Sequence, residues 1–540
     1  RGTTVAWAAA CCLLLVSGGA LLPKWFTFLL TMAAANGLVP FSRAAQASWA
    51  HALATYYVGT PTSGNGDGSS GNPWNQTGFD AATILGTDTI SINSGFTLAS
   101  AASKLDLVTV TGTGNLNVTG WTGQDLSAVS TGLGAFNVTA SNGFTGGLWR
   151  IASANTLTIP AGASGNLSQT LTDLSPNGFV VNGTVGTLSA TDAATMAAFI
   201  NGTGTLNLRN YTSQDLSGLA NISTVYVTTD PGAVLDADKL ALADRITIGE
   251  GTATGAAAVI DTLGDSKIIV SSGATLDISG YTTQTLGGMT NNGTINVTTA
   301  NGAVLDATNL ADATSITLGS GTTASSTATA IDALGPSRIT VTGATLNISD
   351  TAANLAASST AALTLGTSVA VTGTTAAAAD LNTTDGKISV ALNATSLTML
   401  TGTAAQIATA ISASTINTAS NVGVTIDAGS AAASDLNTID TNTTAVVNAT
   451  AVSTITGLVA EVKTAIASAG ITTATNYAAT LSDASVSVSD ANSVDADTTG
   501  VVTATITPGG VSTLNGLTGT GNAYTVTVTD SSVNAADLNT

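Results

Sequence analysis

The chain has 540 residues and a formal charge of −20, from 32 acidic and 12 basic side chains. Charged residues make up 8% of it, against about 25% in an ordinary soluble domain, so it has too few cations to neutralise a run of nucleic-acid phosphates. One histidine and two adjacent cysteines leave little room for histidine acid–base chemistry, a zinc centre or a disulfide framework.

Residues 1–54 stand apart. Val5–Leu22 is an uncharged apolar run, and Trp25–Val39 is a second one that follows Lys24. Small-residue sites follow at Ala45-Gln46-Ala47 and Ala52-Leu53-Ala54. Together these predict an export leader, with a hydrophobic membrane segment as the alternative. Cys11, Cys12 and His51 all lie within it, so removing the leader leaves a body without thiol or imidazole.

From residue 55 the composition favours strands and tight turns. Ala, Val, Ile, Leu and Thr dominate, and mean hydropathy is +0.37 with 4% aromatics. Such a chain forms a thin aliphatic core, which suits stacked repeats rather than one thick globule. Repetition is visible directly. GTGNLNVTGWTGQDLS begins at 112, GTGTLNLRNYTSQDLS at 202, SGATLDISGYTTQTLG at 272 and TGATLNIS at 342. The equivalent residues Leu116, Leu206, Leu276 and Leu346 are 90, 70 and 70 residues apart. Alternating Ile/Val with Thr/Ser predicts strands at Val225, Arg245, Lys267, Ile295, Arg338 and Ala362. Ala-rich stretches at 324–335 and 350–359 predict short helices, with Ser325 or Asp350 as caps. Residues 55–379 are therefore read as a β-solenoid with repeats of about 70 residues.

At Asp380 the period shortens. DLNTTDGKISV, SDLNTIDTNTTAVV and SDANSVDADTTGVV recur 55 residues apart, predicting two coils per unit. Residues 402–414 and 457–470 predict amphipathic helices with Ile407 and Ile411, then Leu458, Val462 and Ile466, on the buried side. Residues 380–540 are read as a strand and short-helix solenoid that stops inside a repeat, either as a fragment or against another subunit. The expected fold is mainly β: an elongated parallel β-solenoid, with short helices in its C-terminal turns.

Residues 55–75, TYYVGTPTSGNGDGSSGNPWN, resemble the opening coil of parallel β-helix proteins on bacterial surfaces. Residues 348–357, 489–506 and 521–540 resemble the β-strand repeats of very large secreted or cell-surface proteins, adhesins and surface-layer-like proteins of marine bacteria and cyanobacteria. The resemblance implies an extracellular or cell-surface location and a structural or adhesive role. It carries over no catalytic residues, and the glycine-rich nonapeptide calcium repeats of many relatives do not occur here.

Candidate sites are few. Asp380 and Asp385, Asp435 and Asp440, and Asp490 and Asp495 recur in step with the 55-residue unit; Asp427, Asp483 and Asp530 precede the copies. Stacked turns that align such carboxylates would suit calcium, which takes six to eight oxygens. Helix caps and solvated turns use the same residues without a metal. Gly64–Ser69 has the look of a cation loop but lacks a distal bidentate glutamate. Trp121, Trp149, Tyr211 and Tyr281 are of a type that stacks on sugars; three of them share one repeat position, which suits a ring packed against the coil. The expectation is a non-enzymatic secreted or surface-anchored repeat protein. It requires no cofactor beyond possible calcium. Its partners are neighbouring copies or cell-surface and extracellular polysaccharide. The alternatives are a self-assembling filament or surface-layer subunit, and a polysaccharide-degrading β-helix enzyme, which low charge density and the missing histidine disfavour.

Overall fold

The structure, a computed structural model, describes residues 54–130, 132–167 and 178–539. The predicted leader, apart from Ala54, lies outside the described residues, as do Cys11, Cys12 and His51. The chain forms two compact units: residues 1–228 with 238–245, and residues 229–237 with 246–540. The change of period at Asp380 falls inside the second unit. No helix among the described residues is long and apolar enough to cross a membrane.

The first unit is mainly β, and its strands pair in parallel. Thr55–Val58, Thr89–Ile92 and Thr109–Gly112 form one sheet, with Tyr56 level with Ile90 and Val110. A longer ladder runs through Thr97–Ala101, Asn115–Trp121, Ala135–Ala140, Thr156–Ile159, Phe179–Val181 and Ile200–Tyr211. In this ladder partners lie about 20 residues apart in sequence, so each pair of neighbouring parallel strands is joined by a crossover connection. Alternation along each strand sends every second residue inward. In register, Val118, Val138, Leu157, Phe179 and Ile200 stack one above the next, and all are buried.

The second unit repeats the rule with rows of aliphatic residues. Ile278, Val297, Ile316 and Ile339 share one row. Ile348, Val369, Leu392 and Ile416 share another, and Leu400, Val424, Val447 and Ile471 a third. Each buried side chain of this size stabilises by about 1.5–3 kcal/mol. These three rows are wholly aliphatic, and the buried rings of Tyr281 and Tyr477 lie outside them.

Five helices follow one another in this unit: Ala378–Asp385, Ala404–Ser412, Ala433–Asn442, Val459–Ala467 and Val488–Asp495, each in contact with the next. Thr403 and Gln406 form a capping box at the second of them, and Ser487 caps the fifth. The predicted helices at 324–335 and 350–359 form over Ala328–Leu334 and Ala352–Ala357. Their caps are Thr327 and Thr351, not Ser325 or Asp350: the Thr327 and Thr351 hydroxyls accept from Ala330 and Asn354, whereas Ser325 and Asp350 lie one or two residues further back, within the paired strands.

Two other expectations need correcting. The strand expected at Ala362 is a short helix, Thr360–Leu363, and the strand comes later, at Ser368–Thr372. Ser359 caps that helix and is itself held by Asp332, so the local bonds of Thr-Ala-Ala-Leu outweigh its strand-like pattern. Leu458 is 47% exposed. It is the residue before the Val459–Ala467 helix and so falls outside the helical phase that buries Val462 and Ala465.

Candidate functional site

A D-x-N-[ST]-x-D segment recurs at 380–385, 435–440 and 490–495, each on a helix. Asp380, Asp435 and Asp490 occupy the first turn of their helices. Negative charge is favourable there, near the unpaired N–H groups. Asp490 also accepts from the Lys463 ammonium at 2.8 Å and from the Ser487 hydroxyl at 2.8 Å. The Lys463 hydrogen bond, then that of Ser487, holds its carboxyl below the usual range. Asp435 behaves oppositely, since burial pushes its carboxyl up.

The second aspartate of each pair bonds to the following rung. Asp385 accepts from the Thr415 hydroxyl at 2.9 Å, Asp440 from the Ser468 hydroxyl at 2.7 Å, and Asp495 from the Asn522 amide at 2.6 Å. The asparagine between the aspartates does likewise. Asn382 donates to the Gln406 carbonyl, Asn437 to Glu461 and Asn492 to Gly516, at 2.9, 3.0 and 2.6 Å. Glycine makes room for two of these contacts: a Cβ on Gly470 would lie 2.0 Å from Asp440, and one on Gly519 would lie 2.3 Å from Asp495. Asp483 and Asp530 complete the pattern by accepting from the first N–H of a helix one rung back, Val459 and Val511, both at 2.6 Å. Asp427 follows the Gly423–Ile426 strand, and its N–H donates to the Gly402 carbonyl.

The two aspartates of a pair are five residues apart on one helix, which separates them by about 140° around its axis. Among the described residues, no three His, Cys, Asp or Glu side chains come together as a metal-holding group. The Gly64–Ser69 loop is closed on itself. Asp67 accepts from the Ser69 N–H at 2.9 Å, and the Ser69 side chain holds its carboxyl below the usual range. The rings of Tyr56 and Trp74 stack at 4.6 Å beside it.

The four candidate aromatics separate. Trp121, Tyr211 and Tyr281 are fully buried, whereas Trp149 is 40% exposed. The three buried rings begin a corner motif that sequence reading missed. A left-handed residue precedes each: Gly120 at φ +73°, Asn210 at +61° and Gly280 at +73°. A glutamine three residues after each ring folds back. Gln124, Gln214 and Gln284 accept from the N–H of Thr122, Thr212 and Thr282 and donate to the same threonine's hydroxyl. The signal was present in the aligned blocks as the invariant spacing between the ring, the threonine and the glutamine.

Basic side chains are also spent internally. Arg338 donates to the Leu334 and Ala311 carbonyls, Lys387 to those of Ala356 and Ser358, and Lys104 to those of Phe79 and Asp80. Outward polar residues form ladders of their own. Asn137 donates to Asn117 and accepts from Thr156, and Asn296 donates to Asp277 and accepts from Ser315. What the arrangement does chemically is bind one rung to the next.

Comparison with protein-family models and with curated protein sequences found no match for this chain.

Proposed function

We propose that the chain is a parallel β-solenoid of elongated form. It is exported to the cell surface or beyond and serves there as a structural and adhesive element through its extended acidic face. The observation that carries this reading is the destination of the repeated polar side chains. Asn382, Asn437 and Asn492, with Asp385, Asp440 and Asp495, all bond to a neighbouring rung. A repeat that spends its conserved-in-step polar groups on stacking has extension as its product. The in-register aliphatic rows support the same reading, since each rung meets only its neighbours. A charge of −20 keeps such a scaffold soluble and favours partners that are neutral or cationic.

Small-angle scattering on the full chain tests it. The expected result is a rod-like distance distribution, and removing one 55-residue unit shortens the longest dimension by about 10 Å, two rung spacings. A rounded particle, or a deletion that leaves the longest dimension unchanged, overturns it.

A further inference from the structure

One corner of the first unit combines an exposed apolar side chain with a left-handed backbone. Leu107 is 60% exposed and has φ +62°, a left-handed conformation that costs a branched side chain energy and persists only where its surroundings impose it. The imposing contacts are hydrogen bonds to the neighbouring Asp125. The Leu107 N–H donates to the Asp125 carbonyl at 2.8 Å, and the Asp125 N–H donates back to the Asp106 carboxylate at 2.7 Å. Gly86 leaves room below, since a Cβ there would come within 3.2 Å of the Leu107 Cβ.

One rung further, the Leu126 N–H donates to the Arg150 carbonyl at 2.8 Å, which sets Trp149 on the same corner. The Arg150 guanidinium lies over the Trp149 ring, 5.2 Å from its centroid, and is fixed by donating to the Gly123 carbonyl. One face of the indole is thus covered by a locked cation, and the side chain keeps its exposure. Trp74, by contrast, is stacked on Tyr56, and Trp121 is fully buried.

We infer that Leu107, Trp149 and the carboxylates of Asp106 and Asp125 form a binding strip for a neutral polysaccharide. A pyranose presents an apolar C–H face and a rim of hydroxyl donors. An indole face and a leucine receive the first, and carboxylates accept from the second. Asp106 commits one oxygen to the Asp125 N–H, and Asp125 commits one to the Ser127 N–H and hydroxyl, which leaves the other oxygen of each for a sugar hydroxyl. The strip covers two rung steps, about 10 Å, so it suits two successive sugar rings of an extended chain. The net charge of −20 repels uronate or sulfate polymers. The inference rests on the adhesive reading above and gives it a ligand class.

The test uses the full chain and affinity electrophoresis in soluble hydroxyethyl cellulose and glycol chitin, with alginate as the acidic control. The wild type is expected to be retarded by a neutral polymer and not by alginate. Trp149→Ala is expected to weaken retardation at least tenfold, and Trp149→Phe to retain most of it. Leu107→Gly relieves the left-handed strain, so it is expected to melt several degrees higher and yet bind several-fold more weakly. That opposition separates a ligand role from a structural one, because a variant that melts higher has kept its fold. No retardation in either neutral polymer, equal retardation of wild type and both loss variants, or preference for alginate overturns the strip. A rod-like scattering profile alongside such a failure leaves the scaffold reading standing.

Discussion

Asp440 and Ser468 illustrate how much a single side chain does here. The hydroxyl-to-carboxylate bond joins two rungs at 2.7 Å beside a glycine that only an unsubstituted Cα permits. Asp440→Ala should therefore lower stability by about 1–2 kcal/mol in urea unfolding. A double-mutant cycle with Ser468→Ala should recover most of that as coupling; additive losses would show that the bond is incidental. Two other aspartates set opposite pH dependences. The Asp490 carboxyl sits below its ordinary value, so it contributes stability above the unfolded value, about pH 4, which fades as pH falls through the folded value. Asp435 sits above its ordinary value, so its ionisation opposes folding as pH rises. Asp435→Asn should raise the melting temperature at pH 7 and leave it unchanged at pH 3. The same direction at both pH values would show that burial is not the cause. The Lys463–Asp490 pair is partly exposed on both sides, and its loss should cost below about 1 kcal/mol.

Among the elements, the corner motif is where a local rule fixes the path of the chain. Gly280 sits at φ +73° between the Ile278 pairing and the Tyr281 pairing, where the register shifts. Gly280→Val should cost about 1–2 kcal/mol. Asn210→Gly, at the equivalent corner, should be neutral or slightly stabilising by thermal melting. This contrast also shows what could be read in advance. Strands at Val225, Arg245 and Ile295 were legible because one buried face imposes a period of two. The helices at 404–412 and 459–467 were legible because their apolar spacing is three to four. Thr360–Leu363 was not legible as helix, since its cap depends on Asp332, 27 residues earlier. The aspartate pairs were visible as a repeat but not in their role: spacing along a chain does not say that Asp385 meets Thr415 on the next rung. Leu107 was invisible, because a left-handed backbone at leucine has no signature in composition.

At the scale of each unit, the buried aliphatic rows run through successive parallel strands. The carboxylates at Asp385, Asp440 and Asp495 already have donors. Thermal melting with calcium and with a chelator should accordingly coincide within about a degree; a large upward shift in calcium would show that the aspartate rows hold a cation. The Asn–Asp stitching has one more implication, for heredity. Each asparagine stitch reaches forward 24 residues to a backbone carbonyl, and each aspartate stitch reaches forward 27 to 30 residues to a hydroxyl or amide donor, so successive copies of the unit offer chemically equivalent targets. Gaining or dropping a whole unit by recombination would therefore leave each surviving partnership intact, and under the scaffold reading proposed above lineages could retune its dimension without solving a new packing problem.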